Sequence, residues 1–116
     1  YRFHDGALEQ ITRDDTWIQE QIEQGTMQPE SARLSPYAHL LTQCIGLEES
    51  PSPQVLEGDA SPGESYLLCT DGLVGMLDDE EVARILEEES SLETLVAEAN
   101  EAGGHDNITA ALVRID

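Results

Sequence analysis

Two aspartates that lie close to glycines in the sequence, each beside an apolar segment, are candidates for a chemical role. Asp71 and Gly72 follow the apolar run at residues 67–69, and Asp106 follows two glycines and precedes the largely apolar residues 108–115. We expect Gly72 to let the backbone turn sharply, so that Asp71 points out of a strand end. A carboxylate in that position is costly to desolvate unless a cation or hydrogen-bond donors face it.

Oxygen ligands of this kind suit hard divalent cations such as Mg²⁺ and Mn²⁺. A pair of such ions, about 3.5–4 Å apart, can hold a hydroxide and a phosphoryl oxygen together. The pattern by itself is weakly specific, because an acidic chain contains many Asp-Gly pairs. A role for Asp71 in capping a turn is the common alternative. That alternative is less favoured because a second aspartate, Asp106, has a similar setting. Both interpretations stay open on the residues alone.

The composition limits the kinds of partner. The chain has 116 residues, with 25 acidic and 5 basic side chains and a formal charge of -20. Nucleic acid and anionic membranes need clustered Lys and Arg, so neither is expected as a partner. The two cysteines, Cys44 and Cys69, form neither a disulfide framework nor a zinc pattern. We therefore expect one domain, or part of one, in a reducing cytoplasmic setting.

The pattern of apolar and turn residues predicts an α+β domain, with helices packed on a mostly antiparallel sheet. Asp5-Gly6 predicts a β-hairpin between two short strands. We further expect strands at residues 39–46, 54–57, 65–70 and 107–115, and helices that begin near residues 17, 30, 78 and 92, the last with a capping box from Ser90. The strands around residues 67–69 and 107–115 are apolar enough to be buried on both faces.

Four groups of residues, in their order along the chain, resemble motifs of the metal-dependent Ser/Thr protein phosphatases of type 2C, the PPM family, in its bacterial branch. They are the Asp5-Gly6 hairpin with residues 8–14, His39-Leu40-Leu41-Thr42 with Gly46, residues 67–73 and residues 103–109. The resemblance covers essentially the whole chain. Asp-Gly-Leu followed by Gly-x-Asp-Asn, at this separation and after this hairpin, is a specific combination.

The resemblance implies part of an α-β-β-α sandwich, in which two antiparallel sheets are flanked by helix pairs and a two-metal site lies at one end. It matches Asp71 and Asp106 to two metal-ligand aspartates of the family, and residues 26–45 to its mobile flap, which contributes to substrate choice. The implied cofactors are Mg²⁺ or Mn²⁺, with two or more ions in the complete domain. Beyond these two metal ligands, no catalytic or cofactor-binding residue is assigned.

The family's earlier motifs, which include an arginine for the phosphate and further residues at the metals, would lie before Tyr1. We therefore expect residues 1–116 to be the C-terminal portion of a single catalytic domain, and an incomplete fragment that is inactive alone. The function implied for the parent enzyme is metal-dependent hydrolysis of phosphoserine and phosphothreonine on proteins. A catalytically dead phosphatase-like module with a binding or regulatory role is the alternative.

A phosphorylated protein substrate is the partner that the resemblance implies. Half of a two-sheet sandwich would leave apolar residues uncovered, and we expect these to be Leu67 and Cys69 on one side and alternate residues of 108–115 on the other. The isolated chain is therefore expected to self-associate or to pair with its missing N-terminal half. Arg33, in the flap region, is expected to form a local salt bridge rather than to bind a phosphate.

Overall fold

A computed structural model describes residues 1–32, 34–47, 49–88 and 92–116. Within it the chain divides into two units, one made of residues 1–11 and 58–116 and the other of residues 12–57. The helices and strands are β1 Arg2–His4, β2 Ala7–Glu9, α1 Trp17–Glu23, α2 Pro29–Ala32, β3 Ser65–Cys69, α3 Asp71–Val74, α4 Asp79–Glu87, α5 Leu92–Glu101 and β4 Ala110–Arg114. The expected ion pair of Arg33 and the capping box from Ser90 fall outside the described residues.

The first unit is built on a four-stranded antiparallel sheet with the strand order β2-β1-β3-β4. The predicted hairpin is confirmed, because Asp5 and Gly6 form the two-residue turn between β1 and β2 with positive φ angles of 48° and 75°. Two consecutive positive φ angles match the twist of the flanking strands, and Asp-Gly supplies them at low cost. Helices and strands thus combine as the α+β prediction requires.

The two faces of this sheet have different environments. Leu67 of β3 pairs with Leu112 of β4, and both lie on the face that packs against the helices. Leu68 pairs with Ala111 on the other face. Leu68 is 60% exposed there, whereas Leu67 on the helix side is 1% exposed. Burial of residues 67–69 on both faces was therefore a wrong prediction, because the helices of the unit cover one face only.

The same register corrects the identity of the uncovered residues. Leu67 and Cys69 pack on the helix side, so they are not the apolar residues left open on β3. On β4 the open face carries Val113, which is 49% exposed, beside Leu68 of β3. The last strand is also shorter than predicted and begins at Ala110.

The core between the sheet and the helices is aliphatic. Its buried members are Leu67, Leu73, Leu77, Val82, Ile85, Leu86, Leu95 and Ala99. The predicted start of α4 is confirmed by a capping box, in which Asp78 Oδ1 accepts from the Glu81 amide at 2.9 Å and Glu81 Oε2 accepts from the Asp78 amide at 2.8 Å. This pairing satisfies two amides that the helix itself leaves free, and so fixes the orientation of the buried stripe.

The described residues of the second unit, 12–32, 34–47 and 49–57, form two short helices and irregular chain. Thr16 caps α1 by accepting a hydrogen bond from the Gln19 amide at 3.2 Å, and the helix start expected near residue 17 is confirmed. The ring of Trp17 meets that of Tyr37 edge to face, with centroids 5.4 Å apart. Such a pair contributes beyond its buried area, and it holds α1 against the irregular chain that follows α2.

Two predicted strands are wrong. Residues 39–46 form turns and isolated bridges rather than a strand, and one of the bridges joins Leu41 to Thr16. Residues 54–57 form no strand, and the Gln54 side chain instead accepts from the Arg13 amide at 2.9 Å. Both segments are apolar enough for a strand, but a strand also needs a neighbouring segment that pairs with it along its length. Here the groups that the two segments contact belong to the few residues before α1.

In the part of the chain that the structure describes, no helix has the length and apolar character needed to cross a membrane.

Candidate metal site at one end of the sheet

Asp71 lies at the junction where β3 passes directly into α3. Thr70, the residue between them, is extended, with φ -79° and ψ 161°, and Asp71 begins the helix. Leu67 before the junction and Leu73 after it are 1% and 0% exposed. The exposed Asp71 side chain is therefore carried by backbone that the core anchors on both sides.

Gly72 is required at this junction for space rather than for backbone freedom. Its φ is not positive, so the expected sharp turn at Gly72 is wrong, and the chain continues as the helix α3. A Cβ atom at Gly72 would lie 2.1 Å from the carbonyl oxygen of Asn107, closer than any side chain tolerates. The glycine thus permits the segment after Asp106 to approach α3.

Thr70 joins the same two segments by hydrogen bonds. Its amide donates to the Thr109 carbonyl at 3.0 Å. Its Oγ1 accepts from the Thr109 amide at 3.0 Å and lies 3.3 Å from the Asn107 carbonyl oxygen, to which it donates. Sequence reasoning missed this role, because a contact between residues so far apart in the chain leaves no local pattern.

Asp106 lies in the segment that leads from α5 into β4. Gly103 and Gly104 follow α5 with positive φ angles of 144° and 56°, which lets the chain turn back toward the sheet. Asp106 is exposed, and its Oδ1 accepts from the amide of Asn107 at 2.7 Å. Through Asn107 and Thr109 the structure brings the segments of Asp71 and Asp106 together at one end of the sheet.

Sequence comparison finds relatives over almost the whole chain. The serine/threonine protein phosphatase PstP of Mycobacterium tuberculosis is 36% identical over an alignment of 119 positions, which covers 99% of this chain and 23% of PstP. The protein phosphatase PhpP of Streptococcus pneumoniae is 36% identical over an alignment of 111 positions, which covers 92% of this chain and 45% of PhpP. The chain therefore spans less than half the length of these relatives. No protein-family model matches it.

Comparison with solved structures finds the same kind of protein. A crystal structure of the serine/threonine phosphatase PstP/Ppp of M. tuberculosis superposes with a TM-score of 0.92 at 33% identity, covering 100% of this chain and 50% of that one. The catalytic domain of PstP in complex with two manganese ions gives a TM-score of 0.74 at 35% identity, covering 100% of this chain and 49% of that domain. This chain is a homologue of the bacterial type 2C serine/threonine phosphatases. The resemblance and the α+β fold class are confirmed, and the half-length match is consistent with a C-terminal half.

The donor set of this phosphatase homologue fits part of a divalent-cation site. Asp71 and Asp106 are exposed carboxylates, and oxygen ligands are those that Mg²⁺ and Mn²⁺ prefer. Residues 1–32, 34–47, 49–88 and 92–116 contain no group of three or more His, Cys, Asp or Glu side chains placed to hold a metal ion. The described residues therefore offer two candidate ligands and not a complete set.

The opposite end of the sheet in the phosphatase homologue holds a second group of ionisable side chains. Glu64, which is 7% exposed, accepts from the Ser61 amide at 2.9 Å and from the Tyr66 hydroxyl at 2.8 Å. These hydrogen bonds, first that of Ser61 and then that of Tyr66, lower the pKa of the Glu64 carboxyl. Hydrogen bonding to Glu64 raises the pKa of Tyr66 in turn. Arg2 adds a guanidinium 3.8 Å from Glu64, so this carboxylate has partners within the chain.

Proposed function

We propose that the protein containing this chain hydrolyses phosphoserine and phosphothreonine residues of phosphorylated proteins. The homologues are serine/threonine protein phosphatases, and this supports dephosphorylation of proteins as the reaction class. The observation that carries the proposal is the junction of two aspartate segments, Asp71 after β3 and Asp106 before β4, at one end of the sheet. The phosphorylated protein is the partner on which this activity acts.

Within this function, Asp71 and Asp106 are proposed as ligands of Mg²⁺ or Mn²⁺, with two or more ions in the complete domain. The homologous PstP domain has been solved with two manganese ions, which supports divalent-metal use in this family. Such ions, when bound, lower the pKa of water and offset charge on phosphoryl oxygens. Asp71 lies between the buried residues Leu67 and Leu73, and this supports a role as a ligand that needs little reorganisation on binding.

Replacement of Asp71 tests the proposal. In the protein that contains this chain, we expect Asp71→Asn to lower Mn²⁺-dependent hydrolysis of a phosphothreonine peptide by more than about 100-fold, since even a partner outside the ligand set costs about 10–100-fold. Asp59→Asn is the matched control, because Asp59 is an exposed aspartate in irregular chain of the same unit. Undiminished turnover with Asp71→Asn would refute the role. Absence of turnover in the unmodified protein, with phosphopeptide binding retained, would support the binding-module alternative.

Residues 1–116 are further proposed to be the C-terminal portion of a single catalytic domain, with residues 26–45 as the flap. Their match to 49% of the PstP catalytic domain supports this assignment. Because the described residues provide two candidate ligands, we expect the 116-residue chain alone to hydrolyse no phosphopeptide above the buffer rate with Mn²⁺. Turnover of the isolated chain that Asp106→Ala abolishes would contradict this.

The open face of the sheet supports a proposed association, either between two copies or with an N-terminal half of the proposed catalytic domain. Leu68 and Val113 are 60% and 49% exposed there, with Ala111 beside them. Burying one such Leu or Val stabilises by about 1.5–3 kcal/mol. The charge of -20 opposes association of two copies, but salt at 0.1 M screens charges beyond about 10 Å. We therefore expect apolar contact to dominate at moderate salt.

Light scattering of the isolated chain at micromolar concentration measures this association. We expect particles larger than one chain for the unmodified sequence, and a single chain for Leu68→Asp. Ile45→Asp is the control, because Ile45 is 98% exposed but belongs to the other unit. A well-folded monomer of the unmodified chain would show that the open face needs no partner.

A cytoplasmic location is also proposed. Cys44 and Cys69 are not joined by a disulfide bond, and cysteines outside disulfides are typical of reducing compartments. Fractionation of cells that express the protein, with antibody detection, measures the location. Recovery outside the cytoplasmic fraction would contradict it.

A further inference from the structure

We propose that Thr70 is a positioning residue for the two candidate metal ligands, and that its hydroxyl sets the separation between the Asp71 and Asp106 carboxylates. This inference rests on the proposed function of the two aspartates. It assigns no contact with substrate or metal to Thr70 itself. What Thr70 contributes is a fixed distance between two chain segments.

The first observation is that Thr70 occupies a helix N-cap position without capping the helix. A threonine at this position commonly accepts a hydrogen bond from an amide in the first helical turn. Thr16 does so in α1, where its Oγ1 accepts from the Gln19 amide at 3.2 Å. The Thr70 side chain makes no such bond to α3. Its hydroxyl is therefore used for a different contact.

That contact is with the segment of Asp106. Thr70 Oγ1 accepts from the Thr109 amide at 3.0 Å, and the hydroxyl is 3.3 Å from the Asn107 carbonyl and 3.5 Å from the Thr109 carbonyl. It has one hydrogen to donate, and the Asn107 oxygen is the nearer acceptor. At the point where β3 leaves the sheet to become a helix, the hydroxyl thus continues the pairing with the neighbouring chain beyond the last paired residues.

The second observation is that Gly72 acts on the same carbonyl group. A Cβ at Gly72 would lie 2.1 Å from the Asn107 oxygen, so the glycine allows this oxygen to reach the hydroxyl of Thr70. Asn107 is bonded directly to Asp106, and Thr70 directly to Asp71. A displacement of the hydrogen-bonded pair is therefore transmitted to each aspartate through a single peptide unit.

The choice of substitution follows from side-chain shape. Threonine is stiff at χ1 because its Cβ is branched. Valine keeps that shape but removes the hydroxyl, whereas serine keeps the hydroxyl and loses a methyl group. Thr70→Val and Thr70→Ser therefore separate the hydrogen bonds from the packing. Thr70→Ala removes the hydroxyl without introducing a new group, and it serves if the valine variant does not fold.

Calorimetric titration of Mn²⁺ into the metal-free protein that contains this chain tests the inference. We expect Thr70→Val to weaken Mn²⁺ binding by about 10–100-fold, the usual effect of losing a group that orients a ligand. Thr70→Ser is expected to restore the affinity to within about 3-fold of the original, since the hydroxyl contact returns. For phosphopeptide hydrolysis, kcat should fall in Thr70→Val while KM stays nearly constant.

The outcomes distinguish this inference from the proposed function. If Asp71→Asn abolishes Mn²⁺ binding and Thr70→Val, or Thr70→Ala in its place, leaves it unchanged, the positioning role is overturned and the metal-ligand role stands. Equal weakening by Thr70→Val and Thr70→Ser would also overturn it, because packing would then explain the effect. If Asp71→Asn leaves Mn²⁺ binding unchanged, the proposed metal site itself fails.

Discussion

The two ends of the sheet each carry an Asp-Gly pair, and the pairs serve different purposes. Asp5-Gly6 closes the β1–β2 hairpin, where both residues have positive φ angles of 48° and 75°. Asp71-Gly72 begins α3, where neither residue has a positive φ. The first pair is selected by the backbone conformation of its turn. The second pair is selected by the chain segment that packs against its glycine.

The surroundings of the two glycines make this difference quantitative. The atom nearest to a Cβ at Gly6 would be Glu87 Oε1 at 3.2 Å, which is the end of a flexible side chain. At Gly72 the nearest atom would be the backbone oxygen of Asn107 at 2.1 Å. This oxygen cannot move unless the backbone that leads into β4 moves with it. A dipeptide that is common in turns can therefore also mark a close approach between two segments, and only the fold distinguishes the cases.

The carboxylates at the two ends also differ in their partners. At the hairpin end Glu64 has hydrogen bonds from Ser61 and Tyr66, and Arg2 lies 3.8 Å away. At the other end, no described basic residue forms an ion pair with Asp71 or Asp106. Carboxylates that the chain does not itself neutralise are suited to an external cation, in accordance with the role proposed for them.

Alanine at Gly72 is expected to have the largest effect on this comparison. The added carbon must displace the Asn107 carbonyl, so we expect the free energy of unfolding to fall by about 3 kcal/mol, the upper range for overpacking. Mn²⁺ affinity should fall with it, because the two aspartate segments move apart. Urea denaturation and Mn²⁺ titration of the protein that contains this chain measure both effects. A change below about 0.5 kcal/mol would contradict the packing role of Gly72.

Alanine at Gly6 is the matched substitution at the other end. A positive φ costs a non-glycine residue about 1–2 kcal/mol, and the nearby Glu87 side chain can move aside. We therefore expect a smaller loss of stability than for Gly72→Ala, with Mn²⁺ affinity unchanged. The same two measurements apply. Loss of Mn²⁺ binding in Gly6→Ala would show that the two ends of the sheet are coupled.

Local signals account for what could be predicted from the sequence. The Asp5-Gly6 hairpin and the capped start of α4 at Asp78 depend on residues within one turn of each other, and both are confirmed. The strands expected at residues 39–46 and 54–57 are wrong, because pairing depends on neighbours that an apolar pattern does not reveal. Burial of Leu68 was wrong for the same reason.

The sequence pattern singles out the two candidate ligands but not the contacts that support them. Asp71 and Asp106 stand out by their positions at the ends of apolar segments, and their metal role stays a prediction. The contacts that join their segments run from Thr70 and Gly72 to Asn107, between residues separated by more than 30 positions in the chain. Such contacts follow from the register of β3 and β4, which the amino-acid pattern alone does not specify.

Lowering the pH is expected to show how the Glu64 carboxylate, at the hairpin end of the sheet, contributes to stability. Because the pKa of Glu64 is lowered in the folded protein, its contribution to stability is present above the pKa of an unfolded glutamate, about 4.3, and is lost as the pH falls through the folded value. We expect Tm to fall less steeply between pH 5 and pH 3 in Glu64→Gln than in the unmodified protein. Glu57→Gln, at an exposed position, is the control. Identical slopes for all three proteins would contradict the assignment.

The smallest effect is expected for Asp5→Asn, the counterpart of Asp71→Asn at the hairpin end. Asparagine tolerates a positive φ and suits the first position of this turn, so the backbone needs no change. The change alters an exposed contact between the Asp5 carboxylate and the His4 ring at 3.3 Å, and exposed contacts of this kind contribute at most about 1 kcal/mol. We therefore expect the free energy of unfolding to stay within about 0.5 kcal/mol of the original value, with Mn²⁺ affinity unchanged.

Asp5→Asn and Asp71→Asn each remove one negative charge from an Asp-Gly pair, so a difference in Mn²⁺ binding between them would reflect position rather than net charge. Equal loss of Mn²⁺ binding in both variants would mean that overall charge governs the affinity.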